Sequence, residues 1–275
     1  MINHSIDFNQ IDELELKFNE MTEVSIKYKD TYYYMKIFLK NINDKIIIFS
    51  NGAVNPEVKT PPIYMRSSWI DEIEASCIFL DDPTVHKENM RLGWGQGTEE
   101  HFALEEIAII LEKLFEKFKF ENENIFFYGS SAGGFMSAYY SILIKGSTAI
   151  INNPQTMVLN YLAPYVKRML NYSYGINKIE EVPENLIYRL DLVEAMKHYQ
   201  SVPKRLYYLQ NYSHDGDVEK HLNPFLDKLK INEIEFKGLC LINYFNKNLG
   251  HNPLSKVTTL KYIHQIIEGK LNMNF

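Results

Sequence analysis

One ten-residue stretch constrains this chain more than any other: Ile125-Phe126-Phe127-Tyr128-Gly129-Ser130-Ser131-Ala132-Gly133-Gly134. An apolar, aromatic run ends in Gly-x-Ser-x-Gly, and a second apolar run, Phe135 to Ile144, follows at helical spacing. That pattern predicts a strand, a sharp turn and a helix, with Ser131 at the apex. On so tight a turn the serine takes strained backbone angles and lifts its hydroxyl above the sheet edge. The residues two before and two after it must be small, because strand and helix nearly collide there. Gly129 and Gly133 meet that demand. A loop of small residues would share the composition, but not the flanking strand and helix.

The rest of the chain alternates in the same way. Short continuous apolar runs at Lys45–Ser50, Ser76–Asp81, Thr148–Asn152, Arg205–Asn211 and Leu239–Phe245 read as strands covered on both faces. Between and after them lie helical patterns: Glu99 to Phe118, with Phe102, Ile107, Ile110, Leu111, Leu114 and Phe118 on one stripe, and Leu260 to Leu271 at the end. Before them, Val24 to Lys29 and Tyr32 to Leu39 flank a turn at Asp30-Thr31 and predict an antiparallel hairpin at the sheet edge. The fold class is α/β, a mostly parallel sheet with helices on both faces. At 275 residues and 45% apolar content, one large domain, 1–275, accommodates all of it. Residues 157–201 exceed an ordinary crossover and predict a helical cap insertion; a plain pair of crossover helices is the alternative.

In such sheets, sites gather beyond the carboxyl ends of the strands. A serine hydroxyl at that rim needs a base within hydrogen-bond reach and an acid to orient the base. His251 follows the last strand in a turn-rich loop, Asn248 to Pro253, and is the expected base. The other histidines compete weakly: His214 and His221 flank the previous strand tip, His86 and His101 flank a glycine-rich loop from which either could touch substrate, and His4, His198 and His264 fall in surface-like segments. The loop after the penultimate strand offers Asp215 and Asp217. Asp215 is preferred and Asp217 is the alternative acid. The oxyanion donors expected are the N–H of Ala132 and that of Gly52 or Ala53, in the loop Asn51-Gly52-Ala53-Val54. A second glycine-rich loop, Arg91 to Thr98, presents Trp94 as a flat apolar face and Gln96 as a polar hook. Trp94, Gln96 and Asn51 are therefore expected to bind substrate.

Several function classes lose ground. The net charge of −6 is interspersed, with no basic patch for nucleic acid. No run of 18 apolar residues predicts a membrane span, and the N-terminus lacks a secretory pattern. Cys77 and Cys240 read as two buried, reduced thiols, consistent with a cytoplasmic location. No metal motif is present, the Arg91–Thr98 loop lacks the ending of a phosphate loop, and no cofactor or metal is expected. Asp81-Asp82, followed by Pro83, reads as a strand end rather than a ligand pair.

Ser131, Asp215 and His251 stand in the order nucleophile, acid, base, each after the expected strand, and the chain here resembles the α/β-hydrolase family from about residue 24 to 271. Its departure is the absence of His-Gly-Gly at the oxyanion loop, where Asn51-Gly52-Ala53 stands. Gly129 to Phe135 together with Asn152-Asn153-Pro154-Gln155-Thr156 also resembles, more weakly, hydrolase-like proteins linked to bacterial surface-polysaccharide and glycoprotein modification. The resemblance implies a serine esterase, deacetylase or acyltransferase acting on a small-molecule or carbohydrate ester. A hydrolase-fold binding or assembly protein without chemistry is the alternative.

Overall fold

The computed structural model describes residues 2–41, 44–87 and 89–271; residue 1 and residues 272–275, the ends of the expected domain, lie outside them. Among the described residues nine strands form one sheet: β1 (Ile2–Asp7), β2 (Met21–Tyr28), β3 (Thr31–Phe38), β4 (Ile46–Phe49), β5 (Ser76–Leu80), β6 (Ile125–Ser130), β7 (Thr148–Asn152), β8 (Arg205–Asn211) and β9 (Leu239–Tyr244). Their order across the sheet is β1-β2-β3-β5-β4-β6-β7-β8-β9. From β5 to β9 every pairing is parallel; β3 is antiparallel to both β2 and β5.

The continuous apolar runs are explained by burial on both sides. Ile46 and Ile48 of β4 join one core while Ile47 and Phe49 join the other, and Ile125/Phe127 and Phe126/Tyr128 of β6 divide in the same way. Successive side chains of a strand point to opposite faces, so a strand between two helical layers needs apolar residues at every position. Helices α1 (Ala103–Phe118) and α2 (Ala132–Leu143) cover the first face. Helix α7 (Lys256–Ile267), through Leu260, Ile263, Ile266 and Ile267, covers the second.

Three expectations shift. The hairpin of β2 and β3 forms, but it is not the edge: β1 pairs parallel to β2 outside it. Asn3, Ser5 and Asp7 are exposed on β1, so it lacks the apolar signal of the inner strands. Helix α1 begins at Ala103 rather than Glu99, because Gly97 at φ +62 and the bond from Thr98 N–H to His101 O hold the preceding residues in a turn. Helix α7 begins at Lys256, capped by the Ser255 side chain accepting from Thr258 N–H, and ends before Gly269 at φ +68.

Within 157–201 lie α3 (Ala163–Tyr174), a 3-10 turn at Glu184–Arg189 and α4 (Leu192–Tyr199). Helix α4 buries Leu192, Val193, Ala195 and Met196 in the first core and packs on α2, as a crossover helix does. The residues before α3, Asn160 to Leu162, instead reach a cavity beside His251. Downstream of β8, a one-turn helix α5 (Asp215–Asp217) leads through a π-helical turn into α6 (Asn223–Ile231).

Candidate active site

Ser131 caps the N-terminus of α2 directly after β6, at φ 57° and ψ −124°. This is a left-handed conformation that costs an ordinary residue on the order of 1–3 kcal/mol. The surroundings enforce it. A Cβ on Gly129 would run into the Gly133 carbonyl, and one on Gly133 would lie 2.8 Å from the carbonyl oxygens of both Ser50 and Asn51. The small residues the turn demands are thus required by backbone on both sides. Ser131 N–H donates to Asn152 O at 3.1 Å, and Ser131 O accepts from Gln155 N–H at 3.2 Å, so β7 and its following loop brace the turn.

Ser131 Oγ lies 2.8 Å from His251 Nε2. On the far side of the ring, Nδ1 lies 2.8 and 2.7 Å from the two oxygens of Asp217. Asp217 is almost wholly buried and His251 half-buried. The three groups come from the ends of β6, β8 and β9, as a parallel sheet with its site at the carboxyl rim requires.

The preferred acid, Asp215, does not meet the ring; Asp217 does. Both sit in the single turn of α5, capped by the His214 side chain, which accepts from Asp217 N–H. Residues two apart in a helix point to nearly opposite sides. Asp217 therefore turns inward to His251 while Asp215 is exposed.

The base loop is held by asparagines at strand tips. Asn153 Nδ2 donates to His251 O and Asn252 O, both at 3.1 Å. Asn211 Nδ2 donates to Asn246 O at 2.8 Å and Gly250 O at 2.9 Å, and Asn152 Oδ1 accepts from Leu254 N–H at 2.8 Å. Sequence reasoning missed these three, since no local pattern says which loop an asparagine will tie.

The three expected substrate-binding residues are internal. Trp94 and Gln96 are 0% exposed and Asn51 is 2% exposed. Trp94 Nε1 donates to Gln155 Oε1 at 2.6 Å. Gln96 donates to Arg189 O at 2.9 Å and accepts from Tyr174 OH at 2.6 Å, and Asn51 spans Ile63 O and Met65 N–H. The loop folds inward because Asp82 and Thr84 hold it: Asp82 accepts from Gly95 N–H at 3.1 Å, and Thr84 Oγ1 from Gly97 N–H at 2.9 Å. Asp82, read as a strand end, also caps the next turn through Thr84 N–H. The flat face and the polar hook of this glycine-rich loop are both turned into the protein.

Of the expected oxyanion donors, Ala132 opens α2, where helix N–H groups lack partners within the helix. Gly52 N–H points at Met65 Sδ, 3.3 Å away, and Ala53 is exposed. Gly52 lies close to the turn, since a Cβ there would sit 3.3 Å from Ser130 O. Arg66 was not anticipated; its Nη2 donates to Ser130 Oγ at 2.7 Å and its guanidinium stacks 5.1 Å from the Tyr128 ring centroid.

A cavity of about 240 Å³ opens beside the base, lined among others by Tyr161, Leu162, His214, Lys220 and His251. His221, in its wall, is buried, and burial lowers its pKa to about 4, so the ring is neutral at pH 7. His86 and His101 face a different cavity and pair with Asp81 and Glu106. Burial opposes charge on His86, but the Asp81 carboxylate outweighs it and raises the pKa. Ligand atoms of His214, Asp217 and His251 lie within 4.8 Å of one another, a spacing a metal ion could use, yet all three are already bonded together. Cys77 and Cys240 are free thiols, the first buried and the second half-buried.

This chain has the α/β-hydrolase fold. The order and direction of its strands and the placing of Ser131 carry that conclusion, and solved structures agree. It is similar to the capsule O-acetyltransferase of Neisseria meningitidis serogroup A, with a TM-score of 0.62 at 16% identity over 88% of this chain and 96% of that one. It is similar to a carboxyl esterase from the fungus Tuber melanosporum, with 0.60 at 13% identity over 98% and 91%. It is also similar to an S-formylglutathione hydrolase from Staphylococcus aureus, with 0.54 at 12% identity over 94% and 100%. No protein-family model and no curated sequence matches the chain. Among the described residues, no helix is long and apolar enough to cross a membrane.

Proposed function

We propose that the protein is a serine enzyme of ester chemistry, an esterase or acyltransferase that works through a covalent acyl-enzyme. One observation carries the proposal: the unbroken bonding from Ser131 Oγ through His251 to buried Asp217, built on a strained turn. Ser131 Oγ attacks the carbonyl carbon of an ester as its proton passes to His251 Nε2. Asp217 holds the ring by Nδ1 and stabilises its charged form. The N–H groups of Ala132 and Gly52 take the negative oxygen. A thioether is a weak acceptor, so the substrate oxygen displaces Met65 from Gly52 N–H. His251 then returns the proton to the leaving alcohol, and water or a second alcohol releases the acyl group by the same steps reversed.

The cavity beside His251, about 240 Å³, has room for an acyl group together with part of its alcohol. The stretch 160–162, ahead of α3, serves as a cap, with Tyr161 and Leu162 forming a wall of the cavity beside His251. The likeness to a capsule O-acetyltransferase supports acyl transfer to a hydroxyl and that to a carboxyl esterase supports hydrolysis, two outcomes that use the same residues.

A fluorophosphonate probe tests the proposal. Labelling of the wild type and none of Ser131→Ala is expected. A folded wild type that resists the probe overturns it in favour of a binding or assembly protein on this fold. Comparing release of acetate from p-nitrophenyl acetate with and without an acceptor sugar separates hydrolysis from transfer.

A further inference from the structure

Trp94 and Gln155 are both 0% exposed. The indole N–H is a donor only, so the atom 2.6 Å from it must accept. That assigns Oε1 of Gln155 to Trp94 and turns the amide Nε2 to Ser131 Oγ, at 2.9 Å. The Gln155 backbone N–H holds the carbonyl of the same serine, so one residue grips Ser131 at two points.

The consequence runs along the whole site. A serine hydroxyl has one proton and two lone pairs. With a lone pair given to the amide, its proton goes to its other neighbour, His251 Nε2. Nε2 must then be unprotonated and Nδ1 must carry the ring hydrogen, which Asp217 accepts. From indole to carboxylate, every donor points the same way. That direction is the one proton abstraction from Ser131 requires.

We propose that Gln155 is a fourth polar group of the reaction, donating to Ser131 Oγ, and that Trp94 is the positioning residue that fixes the direction of that donation. The proposal rests on Ser131 being the nucleophile. As Oγ gives its proton to His251 and bonds the carbonyl carbon, it becomes an ester oxygen with lone pairs only. An N–H facing it remains matched, whereas a carbonyl there would be repelled. When the acyl group departs, Oγ leaves carbon with the electron pair, and the amide stabilises it until His251 returns the proton.

The test compares fluorophosphonate labelling rates and p-nitrophenyl acetate kinetics for Trp94→Phe, Gln155→Leu and Gln155→Glu, with melting temperatures alongside. Gln155→Leu should label roughly 10²-fold more slowly and lose kcat to a similar degree, with KM little changed. Gln155→Glu should be slower still, because a carboxylate has no proton to donate and draws the Ser131 proton away from His251. A purely packing role predicts the reverse ranking, since Glu is nearer to Gln in shape. Trp94→Phe removes the indole N–H and frees the amide to turn over; about a ten-fold loss in kcat is expected, and none when added to Gln155→Leu. Folded Gln155→Glu labelling at the wild-type rate overturns the inference alone. A wild type that never labels overturns it together with the nucleophile it depends on.

Discussion

Both carboxylate oxygens of Asp217 lie within 2.8 Å of His251 Nδ1, from a position that is 5% exposed. A buried carboxylate facing one ring nitrogen fixes the tautomer and leaves the other nitrogen free to take a proton from Ser131.

Asp217→Asn should therefore lower kcat by about three to four orders of magnitude, because an amide stabilises the wrong tautomer and cannot balance the charged ring. Asp215→Asn, on the exposed side of the same turn, should change kcat less than about two-fold. Steady-state hydrolysis of p-nitrophenyl acetate by both variants decides it. Equal losses would mean that the solution conformation of the α5 turn differs from this one.

Much of the fold was legible because the middle of an inner strand in a parallel sheet is buried on both faces, and Ala149–Ile151 and Leu206–Leu209 are uninterrupted apolar or aromatic runs. Ser131 and His251 were legible because each follows a strand at the carboxyl rim. The acid was ambiguous because sequence spacing does not say which residue of a one-turn helix faces inward. The burial of Trp94 against Gln155 was hidden for a different reason. A tryptophan in a glycine-rich loop looks the same whether the loop stands open or is tied down by Asp82 and Thr84, each 13 residues upstream of the N–H it holds.

Trp94→Ala gives a measure of that burial. Removing a fully buried indole costs on the order of 3–5 kcal/mol. The Tm should fall by roughly 10 °C, as scanning calorimetry would record. A stable variant with only a raised KM would return Trp94 to the substrate-facing role first expected of it.

Ser131 carries a stability cost for its position. Ser131→Ala and Ser131→Gly both remove Oγ and its bonds to His251 and Gln155, so they differ chiefly in backbone freedom. Glycine adopts φ 57°, ψ −124° without steric cost, whereas alanine does not. Both variants should be inactive, with Ser131→Gly more stable than Ser131→Ala by about 1 kcal/mol or more in urea denaturation. The opposite order would show that the turn is relaxed in solution.

His221 links stability to pH. Its ring is buried, and burial lowers its pKa from 6.5 to about 4, against the attraction of Asp217. Between these two values the unfolded chain binds a proton that the folded chain refuses, so stability falls as pH drops from about 6.5 towards 4. The contribution of this one group over the window is on the order of 3 kcal/mol. His221→Gln lacks the titration while filling most of the same space. Its urea midpoint should drop less than that of the wild type between pH 7 and pH 4.5, with carboxylate effects common to both. Parallel curves for the two proteins would mean that the folded chain protonates this ring as readily as the unfolded one does.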